Sequence, residues 1–184
     1  MTRGPIHRRT ALLALAAALG MPLVTQAAGA PRENTWEELV PPGWDPMAGI
    51  KKPATLGMMS DADPRVLDMM RELREIWDNA PTRPELDGKP FRLSGYVVPL
   101  DQMKGEVREF LLVPYFGACI HTPPPPANQI VHVFASRGGK GLRTMDVVTV
   151  QGTLQAKRGD TVMGASGYRI EAATVEPYVP PPLK

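Results

Sequence analysis

Cys119, His121 and His132 are the residues of this sequence whose types and spacing suit metal binding. Cys119 is the single cysteine among 184 residues, and two of the three histidines follow it within the stretch 119–132. Thiolate sulfur and imidazole nitrogen are ligands that Zn²⁺ takes, and three protein ligands with an open or water-filled fourth position form an established arrangement. Cys-x-His at the end of one predicted strand and a histidine in the next let a returning loop gather all three. The two Cys pairs of the usual zinc motifs are absent. The plain alternative is a buried, inert thiol at Cys119 and a core or rim histidine at His132, on one strand face with Ile130 and Phe134. Carboxylates also bind zinc, so Asp101 or Glu109 is available to complete the set.

Pro123–Pro126 follow directly. Four consecutive prolines fix φ and remove four donors, so the connection is stiff. That stiffness either serves the loop alone, preorganises His121, or offers a ridge to a partner. Asn128 and Gln129 can satisfy carbonyls left unpaired nearby.

The lone thiol gains meaning from the compartment. Arg8-Arg9 precede the apolar run Ala11–Leu19, and small residues follow at Ala27, Ala28 and Ala30. A basic region, an apolar region and a small-residue cleavage zone predict a secretory signal peptide over 1–30, with cleavage between Ala28 and Pro31. The arginine pair suggests the twin-arginine route, although ordinary signals carry such pairs too. Export to the periplasm is therefore expected, and no later segment is apolar enough to span a membrane. With one cysteine, no intrachain disulfide can form. The thiol is then inert, joined to another chain, or engaged by a metal or a redox reaction.

The elements that must position these residues follow from pattern. Residues 31–60 have no period and read as an extended arm anchored by Trp36 and Trp44. Asp63 caps a helix that Pro64 opens, with Val66, Met70, Leu73 and Trp77 as its apolar stripe and Asp68, Arg71, Glu72, Arg74 and Glu75 as its solvated face. Five short strands follow, near 91–100, 107–116, 130–135, 145–154 and 168–175. Gly95 and Gly152 inside strands permit the bends of barrel closure. The 21 Pro and 17 Gly fit many turns rather than a bundle. The predicted fold is mainly β with one N-terminal helix, a small OB-like five-stranded barrel; helix and barrel form one domain over 61–178, and 179–184 is a proline-rich tail.

The segments Gly95-Tyr96-Val97-Val98-Pro99-Leu100-Asp101, Glu109 through His121, and Pro123-Pro124-Pro125-Pro126-x-Asn128-Gln129 resemble a bacterial family of exported proteins catalogued as a domain of unknown function. The resemblance covers roughly 34 to 178, including Trp36-Glu37-x-Leu39 and Pro41-Pro42. It implies a periplasmic or lipoprotein-type protein, similar to members encoded beside ABC transporter components and in some cases linked to zinc supply. Cys119 and His121 match the family motif, whereas the lipobox cysteine of lipoprotein members is missing.

Together these observations favour a periplasmic metal-binding accessory protein of an ABC transport system, holding zinc and meeting transporter components or a periplasmic binding protein. The rivals are a metal-free interaction module of the same machinery and a thiol or zinc enzyme. An enzyme is disfavoured because Cys119 lacks a resolving partner and no acid–base pair is placed, though Asp101, Glu106 and Glu109 are at hand. Nucleic acid is disfavoured by charge: without Arg3, Arg8 and Arg9 the 21 basic residues become 18 against 19 acidic ones.

Overall fold

The computed structural model describes Met1 and residues 32–50, 60, 62–103, 106–119, 124–137 and 139–180. The predicted signal peptide, His121 and the end of the proline tail lie outside the described residues. From residue 32 onward these belong to one compact unit, Pro31–Lys184.

Among the described residues one α-helix, α1 (Pro64–Asp78), precedes seven strands: β1 (Pro90–Met103), β2 (Glu106–Val113), β3 (Val131–Arg137), β4 (Val147–Gln155), β5 (Gly159–Thr161), β6 (Gly164–Ser166) and β7 (Tyr168–Pro177). Five of them close a barrel in the order β1–β2–β3–β7–β4, and β4 returns to β1. Every pairing around it is antiparallel except β3 with β7, which is parallel. The predicted mainly-β, OB-like five-stranded barrel is the architecture observed. Its helix stands between the arm and the barrel rather than at the chain's start. Sequence reading missed β5 and β6, which pair as a separate hairpin between β4 and β7.

Alternation divides the strands into an inner and an outer set. Phe91, Leu93 and Val97 of β1, Phe110 and Leu112 of β2, Val131 and Val133 of β3, Val150 of β4 and Ile170 of β7 fill the interior. The intervening residues Val98, Leu111 and Val113 face outward beneath a second cluster completed by Ala118 and Ile130. At Gly152, within the irregularity between Gln151 and Thr153, a Cβ would lie 2.4 Å from Ile170 Cγ2. At Gly95 it would lie 2.7 Å from Val113 O and 2.8 Å from the Trp36 ring. Both glycines are where strands crowd each other.

The arm packs on this barrel. Trp36 opens a short 3₁₀ helix, Trp36–Leu39, and its indole N–H donates to Ser94 O at 2.8 Å. Leu39 is fully buried, and its carbonyl accepts from the Tyr168 hydroxyl at 2.7 Å. In α1, the Asp63 carboxylate accepts from Arg65 N at 2.9 Å, capping the first turn, and Pro64 occupies the position where a missing N–H costs nothing. The apolar stripe does not dock as a unit. Val66 is buried, but Leu67 is 51% and Met70 38% exposed. Trp77 is half-buried and donates to Pro46 O at 2.9 Å, tying the helix to the arm. No described helix is long and apolar enough to cross a membrane.

Candidate functional site

The outer face of β1–β2–β3 carries the described candidate residues. Register aligns Val98, Leu111 and His132 across the three strands.

Cys119 lies in the turn after β2 with a left-handed backbone, φ +64°. A side chain there crowds the following carbonyl, at a cost of about 1–2 kcal/mol. Cys119 is half-buried and packs, with Met145 and Met163, against Val98, Leu111, Val113, Ala118 and Ile130. Burial in this apolar setting pushes the thiol up to about 11, although the Arg74 charge pulls slightly the other way. The free thiol is thus neutral at ordinary pH, like a structural cysteine. Met145, the other described non-glycine residue at positive φ (+67°), turns its Sδ to accept from Gly117 N at 3.2 Å.

His132 is 8% exposed. Its Nε2 lies 2.9 Å from Glu109 Oε1, so the carboxylate holds the ring proton on that nitrogen. The Nδ1 side faces backbone, because a Cβ at Gly159 would stand 3.2 Å from it. Phe134 lies against the imidazole with ring centroids 4.4 Å apart, and the Arg169 guanidinium sits 4.0 Å above the Phe134 ring. Arg169 also pairs with Glu171 at 2.6 Å, while its buried Nε has no partner. Burial lowers the His132 pKa; the Glu109 hydrogen bond and charge oppose that, and the Arg169 charge adds to it. Beside this ring an open cleft of about 510 Å³ is lined by Leu100, Glu109, His132, Asp160, Thr161 and Val162. The Thr161 hydroxyl is engaged, donating to Gly164 O at 2.8 Å.

The structure brings Glu109, one of the carboxylates offered as a ligand, to His132. Asp101 pairs with Glu109 in register and is exposed. Among the described residues no group of three His, Cys, Asp or Glu side chains is placed to hold a metal ion. A zinc set completed wholly from the described His, Cys and carboxylates therefore does not fit, and His121 lies outside them. Sequence reading placed Phe134 on the face of His132, but it missed Gly159 and Arg169 around that ring, and it missed that Met145 and Met163 pack on the same apolar cluster as Cys119. Methionines in a β pattern read as filler, and cross-strand neighbours need the register.

No curated protein matches the chain. A solved structure does: the crystal structure of a DUF3299 family protein from Pseudomonas aeruginosa PAO1, 40% identical, covering 84% of this chain and 100% of that one, with a TM-score of 0.64. The family model described as "Protein of unknown function (DUF3299)" matches residues 36–177, from the tryptophan that opens the 3₁₀ helix of the arm to the last residue of β7. By that match and that relative, this chain belongs to the DUF3299 family.

Proposed function

We propose that this chain is an exported metal-binding accessory protein, working with an ABC transport system, and that Cys119 and His121 are its primary ligands. The observation that carries the reading is Cys119 itself: a half-buried thiol held at φ +64°, where glycine or asparagine would be easier. Side chains kept in costly backbone conformations cluster at functional sites. The signal-like first 30 residues support export, and the family resemblance supports both the transporter partner and zinc as the ion. His132 joins the set only by giving up its contact with Glu109, so a two-residue core of Cys119 and His121 is the simpler form.

Metal analysis of untagged protein from its native compartment, with calorimetric titration of the purified chain, tests this. Bound metal, and affinity lost in both Cys119→Ser and His121→Ala, is the expected result. Equal binding by wild type and Cys119→Ser overturns it. A metal-free interaction module is then the better reading, favoured by Tyr115 and Phe116, which are 41% and 66% exposed beside the same turn. Phe116 meets Tyr96 edge-on, with centroids 5.9 Å apart.

A further inference from the structure

We infer that the C-terminal tail of a second copy of this chain docks on a row of aromatic and apolar side chains across the outer wall of the barrel, so that two chains pair reciprocally. The inference is independent of the metal reading above, since it involves neither Cys119 nor a histidine.

Register lays out the row. Leu93 and Val97 of β1 fill the interior, so Tyr96, next to Val97, faces outward. Tyr96 pairs with Val147 of β4, and directly paired residues of antiparallel strands share a face. Pro177 pairs with Val148; one residue further on, Tyr178 N donates to Val147 O at 3.2 Å and carries the row to the end of β7. At the other end Phe116 meets Tyr96 edge-on, with centroids 5.9 Å apart. Phe116 is 66% exposed, Val147 38% and Tyr178 36%. An apolar row so open to solvent marks a contact with another molecule.

The chain itself supplies the occupant. It leaves the barrel at Tyr178, at one end of the row, and continues as Val179-Pro180-Pro181-Pro182-Leu183-Lys184. Successive prolines favour the polyproline II form, which docks on aromatic side chains with little entropy left to lose. Five residues in that form cover about 15 Å. The row has a similar length, because two strand spacings of about 4.8 Å separate Tyr178 from Tyr96 and Phe116 stands one ring contact beyond. Lying on its own row would require a sharp turn at Val179 or Pro180. Each of these precedes a proline, which disfavours the helical backbone of such a turn. A second copy requires no turn. Row and tail meet at Tyr178 on each copy, so a twofold axis beside it makes both contacts at once, and each contact raises the effective concentration of the other.

Analytical ultracentrifugation of the untagged chain, from micromolar to near-millimolar concentration, tests this beside a chain ending at Val179 and beside Phe116→Ser. The truncation removes nothing before the end of β7, and the Phe116 side chain is exposed, so both variants keep the barrel. The expected result is a concentration-dependent dimer in wild type, a monomer throughout in the truncated chain, and dimerisation weakened about tenfold or more in Phe116→Ser. A wild type that stays monomeric over the whole range overturns the inference, and so would a tail found on its own row. A dimer that survives the truncation, or that forms equally well in Phe116→Ser, overturns it as well.

Discussion

A cysteine whose thiol is pushed up to about 11 should behave as a buried apolar group until something displaces its proton. In the metal-free chain, alkylation of Cys119 should be slow near pH 8 and rise about tenfold per pH unit, because only the thiolate attacks. A rate equal to that of a free thiol at pH 8 would mean the burial is not maintained. His132 gives an independent acid signature. Its folded pKa is lowered from 6.5, so as pH falls the unfolded chain takes the proton first; the stability is present above about 6.5 and is lost as pH drops through the folded value. His132→Gln can still donate to Glu109 and does not titrate. Its urea midpoint should fall less than that of wild type between about pH 7.5 and pH 5, whereas parallel falls would show that the folded ring charges as easily as the unfolded one. At this scale the sequence marked Cys119, His132 and Glu109 as chemically able. It could not show that Glu109 belongs to His132, since Glu109 stands opposite Phe134 and Leu111 opposite His132 only once β2 and β3 are in register.

Element by element, legibility followed length. Alternation over Phe91, Leu93, Gly95 and Val97 announced β1, and the cap at Asp63 with Pro64 announced α1. The hairpin of β5 and β6 has three residues per strand, too few for any period to register, yet its Gly159 covers His132. The stripe of α1 told the helix but not its target. With Leu67 and Met70 exposed and the Trp77 indole bonded to Pro46 O, α1 is held partly by the arm. Its amides should therefore exchange with solvent by local opening, well before those of β1–β4. Uniform protection across helix and barrel would contradict this docking. Trp77→Ala should lower stability by about 2 kcal/mol, less than the loss of a fully buried tryptophan, read as the shift in denaturation midpoint.

For the molecule as a whole, Tyr168 joins three regions. Its hydroxyl donates to Leu39 O in the arm at 2.7 Å and accepts from Arg83 N in the connection ahead of the barrel, also at 2.7 Å. Tyr168→Phe leaves both groups without that partner and should cost about 1–3 kcal/mol in chemical denaturation; an unchanged midpoint would show that water replaces the hydroxyl freely. No sequence pattern announced this junction, because Leu39 and Tyr168 are far apart along the chain. The order of the strands has a further consequence, in time rather than in energy. β7 is the last strand made, and it lies between β3 and β4, parallel to one and antiparallel to the other. Until residues 168–177 have left the ribosome, β3 and β4 each lack a neighbour and the cylinder stands open along one side. The barrel therefore cannot be closed piecemeal as it is synthesised, because its two open edges find their common partner only when β7 is available.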